Sequence, residues 1–160
     1  MNTISMAPVR KSIQVRAAQA HAFEVFTSGI DRWWPHQAKL TDAPIREIIF
    51  EPRIGGRWYF ACTDGSEATV GHVRQWDPPH RFVIGWEINA RWKPDARVEL
   101  ASEVEVRFIA EGPQSTRIEL EHRDFERMGA VDGGKMHDDV DGGWLHMLQL
   151  FATAAENPEA

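Results

Sequence analysis

The residue best suited to acid–base chemistry in this sequence is His122, at the end of an alternating apolar run. Ile118, Leu120 and His122 share one parity, which predicts that their side chains lie on the same buried face of a strand. An imidazole titrates near neutral pH, so His122 is a candidate general acid or base, or a hydrogen-bond partner for a ligand. A buried histidine can equally be structural, with both ring nitrogens bonded inside the protein. Asp124 continues the same parity, where it orients His122, pairs with an arginine near the mouth of the site, or lies in solvent at the strand end.

Patterns for metal binding or covalent catalysis are missing from the sequence. His137, Asp138, Asp139 and Asp141 follow one another closely, but only His137 and Asp141 share a helical face. Neither an HExxH pattern nor a cysteine–histidine spacing occurs, so we predict no metal and no other cofactor. The single cysteine, Cys62, excludes an internal disulfide, and its place in an apolar alternation predicts a small buried side chain, not an activated thiolate.

Aromatic residues supply the largest apolar side chains, with seven Trp and eight Phe against one Tyr. Six of them lie on faces of strands or helices that are predicted to point inward: Trp58, Phe60, Phe82, Trp86, Phe108 and Trp144. Trp33 or Trp34 is expected at one end of this set. Aromatic side chains dominate the burial of any core, so the set either fills the interior or lines a cavity within it.

Length and charge limit the class of protein. The 160 residues suit one domain, and a composition of 42% hydrophobic and 26% charged residues is globular. A net charge of −6 argues against sequence-independent binding to nucleic acid and against an anionic membrane surface. The sequence has no apolar run of about 18 residues, and residues 1–10 lack an apolar signal core, so we expect a cytoplasmic protein.

The elements that must position these residues follow the order strand, helix, six strands, helix. A strand is predicted over residues 9–16, then a helix from Ala18, which Gly29 divides into a helix and a short second turn and Pro35 ends. Six further strands are predicted at 45–51, 57–63, 67–76, 81–88, 98–110 and 116–125, with a bulge or bend at Gly71. Loops are predicted at 89–97 and 126–136, and an apolar stripe from Val140 to Ala155 predicts a long last helix ending near residue 156.

One wet face and one buried face in these strands predict an antiparallel sheet, and hence a two-layer α+β domain covering residues 1–160, with its ordered core at about 9–156. A sheet of about seven strands is wider than one helix, so side chains fill the remaining space or a cavity is left. Gly142 and Gly143 each cost the last helix up to about 1 kcal/mol. Such a cost is explained by close approach to the sheet, or by room for something beside the helix.

Several short motifs, in this order along the chain, resemble a known superfamily. They include Gly55-Gly56-Arg57-Trp58, the run Asp77-Pro78-Pro79-His80-Arg81-Phe82, Leu120-Glu121-His122, and Gly143-Trp144 on the last helix. Together they resemble the START-like (SRPBCC, Bet v 1-like) superfamily, in the branch homologous to the C-terminal domain of the activator of heat-shock protein 90 ATPase. The resemblance implies a helix-grip fold: a curved antiparallel sheet of about seven strands wrapped around a long C-terminal helix, with an N-terminal helix pair.

The resemblance also implies a pocket for a small apolar or aromatic ligand. The ligand-binding residues predicted on this basis are Trp33, Trp34, Trp58, Phe60, Phe82, Trp86, Phe108, His122, Trp144 and Leu148. Three functions remain open: noncatalytic ligand binding, a polyketide cyclase or hydrolase activity with His122 as acid or base, and a module that contacts a heat-shock chaperone and stimulates its ATPase. The oligomeric state is left open. Trp92, in the loop 89–97 beside the expected opening, is either a gate, a contact for a partner, or packed on the base of its own loop.

Overall fold

Each strand of the sheet pairs antiparallel with its spatial neighbour, in the order β1-β7-β6-β5-β4-β3-β2. The computed structural model describes residues 6–36 and 40–157. The strands are β1 (Val9–Val15), β2 (Ile45–Phe50), β3 (Arg57–Cys62), β4 (Glu67–Asp77), β5 (Arg81–Trp86), β6 (Ser102–Gly112) and β7 (Ser115–Arg123). The helices are α1 (Gln19–Phe26) and α2 (Ala130–Glu156), with 3₁₀ turns at Ile30–Arg32, Val98–Leu100 and Phe125–Met128. The predicted α+β, helix-grip architecture is confirmed.

The strand periodicity explains which face of the sheet is buried. Val104, Val106 and Phe108 of β6 are buried, and they pair with His122, Leu120 and Ile118 of β7, which are buried as well. The residues between them carry charge, and they form ion pairs on the other face of the sheet, several of them centred on Arg123.

The interior near the C-terminal half of α2 is filled by aromatic side chains. Near the C-terminal end of the helix, Phe151 lies 5.0 Å from the ring of Phe26 on α1. Phe26 in turn contacts Phe82 of β5 and Phe108 of β6, at 5.6 and 5.7 Å between ring centroids. Phe23 of α1 completes this aromatic cluster, 5.0 Å from Phe108. This part of the interior is filled by interlocking rings.

Two predicted boundaries differ most from the structure. The helix α2 begins at Ala130 and not after residue 136: Gly129, with φ 88°, precedes its first residue, and its first turns are packed, with Met136 fully buried. Gly133 fits against the carbonyl oxygen of Phe125, which a Cβ atom at that position would overlap. The strand predicted from residue 98 begins only at Ser102, because Val98–Leu100 forms a 3₁₀ turn.

Candidate ligand-binding site

A cavity of about 390 Å³ lies beside the middle of α2, within the size range typical of small-molecule sites. Five aromatic side chains wall it: Trp34, Phe60, Trp86, Trp92 and Trp144. Aliphatic side chains, including Val70, Ile88, Val140 and Met147, cover much of the rest. The lining is therefore mainly apolar.

The sheet and the helix α2 position most of this lining. Phe60 of β3, Val70 of β4 and Trp86 of β5 point inward from three adjacent strands of the sheet. On α2, Val140 and Gly143, three residues apart, share a face with Met147, four residues further, so a single side of the helix faces the sheet here.

Trp92 links the loop over the cavity to α2. Its indole Nε1 donates a hydrogen bond to Oδ2 of Asp139, at 2.9 Å, and its ring lies 6.3 Å from that of Trp86 in a T-shaped arrangement. Lys135 places its Nζ 2.7 Å from the same carboxylate oxygen. The backbone of Trp92 has φ 60°, a left-handed conformation that a non-glycine residue rarely adopts. The loop is thus held with its tryptophan against the cavity.

His122 lies next to the cavity wall but does not line the cavity. Nδ1 accepts a hydrogen bond from Nε1 of Trp144 at 3.1 Å, so the proton of the neutral ring is on Nε2, which lies 2.8 Å from Oγ of Ser102. The ring stacks on Phe125, with 4.6 Å between centroids. Burial, with a smaller contribution from the charge of His137, lowers the pKa of His122 to about 3. Both nitrogens are occupied and the ring is neutral near pH 7, so this geometry favours a structural role over acid–base catalysis.

The ten residues predicted to bind a ligand divide into two groups. Trp34, Phe60, Trp86 and Trp144 line the cavity. The others pack in the core outside it: Trp33, Trp58, Phe82, Phe108, His122 and Leu148. Phe82 and Phe108 belong to the aromatic cluster against α1, and the indole of Trp33 is bonded to the carbonyl oxygen of Val25.

The prediction missed the aliphatic and glycine positions of the lining, such as Val70, Val140 and Gly143. Val140 belongs to the apolar stripe of α2, and the stripe indicates a buried face without showing which part of it faces empty space. For Gly143, the helical cost of a glycine was a usable signal.

Among the residues that the structure describes, the titratable groups in the cavity lining are Asp139 and His146, both on α2. Within residues 6–36 and 40–157, no group of three or more histidine, cysteine, aspartate or glutamate side chains is arranged to hold a metal ion. None of the helices in this part of the chain is both long and apolar enough to cross a membrane.

Comparison with known proteins identifies the family. The family model described as activator of Hsp90 ATPase homolog 1-like protein matches residues 16–156. The chain belongs to this family. None of the curated proteins matches this family member significantly.

Two solved structures are more than 30% identical in sequence to this chain. An anthrahydroquino-γ-pyrone synthase, Txn09, is 38% identical, with 93% of this chain and 97% of that chain covered and a TM-score of 0.66. CalC from Micromonospora echinospora, described as a self-sacrificing resistance protein, is 34% identical over 96% of each chain, with a TM-score of 0.72. The Aha1 dimer from Colwellia psychrerythraea is 13% identical over 97% of this chain and 100% of that one, with a TM-score of 0.67, and this likeness shows the fold alone.

Proposed function

We propose that this protein binds a small apolar or aromatic molecule in the cavity beside α2, without catalysing a reaction. The observation that carries this proposal is a hollow of about 390 Å³ walled by five aromatic side chains. Apolar side chains around a hollow lose packing contacts, which lowers the stability of the protein. A ligand that fills the space restores those contacts, and the flat Trp and Phe faces suit an aromatic ring system.

The arrangement of the polar groups supports binding without catalysis. The carboxylate of Asp139 is engaged by Trp92 and Lys135 at the edge of the site. His146 lies seven residues further along α2, about 10 Å away in axial rise, too far for direct proton exchange with Asp139. His122 is outside the cavity, and its pKa of about 3 makes it a poor base at neutral pH.

A cyclase-type activity in the same cavity is the second candidate, and the 38% identity to a synthase favours it. The name of that relative describes a fused-ring aromatic compound, which also favours such a ligand here. The third candidate, stimulation of a heat-shock ATPase, rests on the family description. Turnover of a polyketide-type substrate would favour the second candidate, and a rise in Hsp90 ATP hydrolysis at saturating concentration would favour the third.

The binding proposal is tested with 1,8-dihydroxyanthraquinone as a fused-ring probe. We expect saturable quenching of tryptophan fluorescence and a rise in melting temperature that grows with probe concentration, since a ligand at 100 times its Kd stabilises the folded state by about 2.7 kcal/mol. Val140→Phe places a ring in the cavity and should weaken binding at least tenfold. Val131→Phe makes the same change on α2 at an exposed position and should leave the affinity unchanged.

Both variants need a urea unfolding curve, so that loss of binding is not confused with loss of fold. Met147→Phe, at a half-buried position of the same lining, is the second blocking variant if Val140→Phe does not fold. Absence of saturable binding by the unmodified protein, or equal affinity in the blocked and control variants, would contradict the proposal.

A further inference from the structure

Four glycines lie within the helix α2, at positions 133, 134, 142 and 143. A glycine inside a helix lowers its stability relative to alanine, because the unfolded chain loses more conformational freedom. Gly133 is required by its close fit against the carbonyl oxygen of Phe125. No such reason applies to Gly134, Gly142 or Gly143, because a Cβ atom built on any of them has no neighbouring atom within 4 Å.

The two adjacent glycines differ in what surrounds them. Gly143 is half-buried and lines the cavity, between Val140 and Met147 on the same face of the helix. Gly142 is exposed and is not part of the lining. The open space at Gly142 is therefore solvent, whereas a side chain at position 143 would occupy space on the helix side of the cavity.

We infer that Gly143 is a specificity-determining residue, because its missing side chain leaves a slot in the helix wall between Val140 and Met147, into which the edge of a fused-ring aromatic ligand fits. The other walls are side chains of the sheet and of the loop, among them Phe60, Trp86 and Trp92. A slot of this kind beside aromatic faces suits a planar ligand of two or three fused rings more than a branched one. This inference rests on the proposed binding function and adds the shape of the ligand to it.

The neighbouring glycine provides the control that separates helix stability from ligand binding. Gly143→Ala and Gly142→Ala remove the same helical penalty, so each should raise the melting temperature, by about 2–4 °C. Only Gly143→Ala adds an atom to the cavity. We expect its Kd for 1,8-dihydroxyanthraquinone to rise at least tenfold, and that of Gly142→Ala to stay within twofold of the wild-type value.

A smaller probe tests the slot shape itself. Phenol has a single ring and should bind Gly143→Ala and the wild-type protein with Kd values that agree within about threefold, because it does not need the full width of the cavity. Gly143→Leu, which extends the side chain further, should abolish binding of the fused-ring probe, whereas Gly142→Leu should retain it. Both leucine variants keep a good helix former on α2.

Three results would overturn the inference. Equal Kd values of Gly143→Ala, Gly142→Ala and the wild-type protein for the fused-ring probe would show that the ligand does not reach this wall. A fall in melting temperature confined to Gly143→Ala would show that the protein itself needs the space. Failure of the wild-type protein to bind either probe is a separate result, which would remove the proposed function together with the inference.

Discussion

His122 connects three elements through one buried imidazole ring. Its Nδ1 accepts from Trp144 of α2, and its Nε2 faces Ser102 at the start of β6, while His122 itself belongs to β7. A buried ring with both nitrogens bonded is stable only in its neutral form, because charging it would cost solvation energy and disrupt the bond from Trp144. The residue therefore couples the stability of this fold to pH.

The stability of the protein should fall as the pH is lowered from about 6.5 towards 3. Burial lowers the pKa of His122 from 6.5 to about 3, so in this range the unfolded chain binds one more proton than the folded protein. The free energy of unfolding then rises with pH by about 1.4 kcal/mol per unit, and about 2 kcal/mol is lost between pH 7 and pH 5. Urea unfolding of the wild-type protein and of His122→Asn at pH 7, 6 and 5 measures this contribution.

The pH range for this measurement must lie above the range in which the carboxylates of the outer face titrate. Burial alone would raise the pKa values of Glu103, Glu105 and Glu121, but hydrogen bonds and charges from Arg123 and other arginines outweigh it and hold these pKa values below 4.5. Their contribution to stability is present above pH 4.5 and is lost only at lower pH. Between pH 7 and 5, an equal pH dependence in wild-type and His122→Asn protein would contradict the assignment to His122.

At the scale of elements, a bulge in β4 lies at the cavity wall. The pairing of β3 with β4 shifts from Trp58 opposite Gly71 to Tyr59 opposite Thr69, which leaves Val70 as the extra residue. Val70 lines the cavity in regular alternation with the buried Ala68, and the extra residue moves the next inward position to Val73. This confirms the irregularity that the sequence predicts at Gly71, where the backbone also approaches Gly85 of β5 closely.

Replacing Gly71 by alanine should destabilise the protein by at least about 3 kcal/mol, because the new Cβ atom would overlap the carbonyl oxygen of Gly85 and force two strands apart. Gly112→Ala is the matched control within the same sheet, since its Cβ atom would lie 3.8 Å from that of Ser115, an ordinary contact. We expect this control to change the stability by less than about 1 kcal/mol. Urea unfolding measures both, and a similar small effect at the two positions would refute the requirement for glycine at 71.

The loop that carries Trp92 is ordered by its own hydrogen bonds. Oδ1 of Asn89 accepts from the backbone N–H groups of Arg91 and Lys93, at 3.0 and 3.1 Å. The bond from Trp92 to Asp139 then fixes this loop to α2 across the cavity. This bond is the direct link between the loop and the cavity side of α2 that a gate role for Trp92 would depend on.

Removing the bond between Trp92 and Asp139 should speed the release of a bound ligand. Asp139→Ala is expected to raise the dissociation rate of 1,8-dihydroxyanthraquinone roughly tenfold, which corresponds to about 1.4 kcal/mol for a half-exposed bond to a charged acceptor. Lys135→Met removes the ion pair to the same carboxylate and retains the bond from Trp92, so its dissociation rate should stay near the wild-type value. Stopped-flow fluorescence measures the rates, and equal rates in the two variants would exclude the gate.

At the scale of the whole molecule, some features of the structure can be predicted from the sequence and others cannot. Alternation in β6 and β7 depends only on neighbouring residues and one buried face, so these strands and the antiparallel sheet are predicted from it, whereas the family is predicted from the resemblance of the motifs. The start of α2 is not predicted correctly, because Gly133 and Gly134 indicate a loop by local propensity, whereas in the structure Gly133 packs closely against Phe125 and Met136 is fully buried. Tertiary contacts override local propensity there.

The position of the cavity within the interior also depends on tertiary contacts that the sequence pattern does not show. Phe82 and Trp86 both point inward from β5, and the alternation of the strand does not distinguish them. They are four residues apart, about 13 Å along the strand, and so they meet different partners. Phe82 meets α1 and its aromatic rings, whereas Trp86 faces the cavity beside the middle of α2. The placement of α1 decides which inward residues line a cavity, and this placement is not encoded in strand periodicity.

The two parts of the interior should respond differently to the same type of substitution. Phe108 is 1% exposed and packed against the rings of α1, so Phe108→Ala should cost about 3–5 kcal/mol of stability while the folded protein keeps its affinity for the fused-ring probe. Trp34 is half-buried in the cavity wall, so Trp34→Ala should cost less stability and weaken binding at least tenfold. Unfolding curves and fluorescence titrations give the two quantities for each variant, with Phe108→Leu as the milder change if the alanine variant does not fold. Loss of affinity in a folded Phe108 variant, or retained affinity in Trp34→Ala, would mean that the ligand occupies the filled part of the interior and not the hollow beside α2.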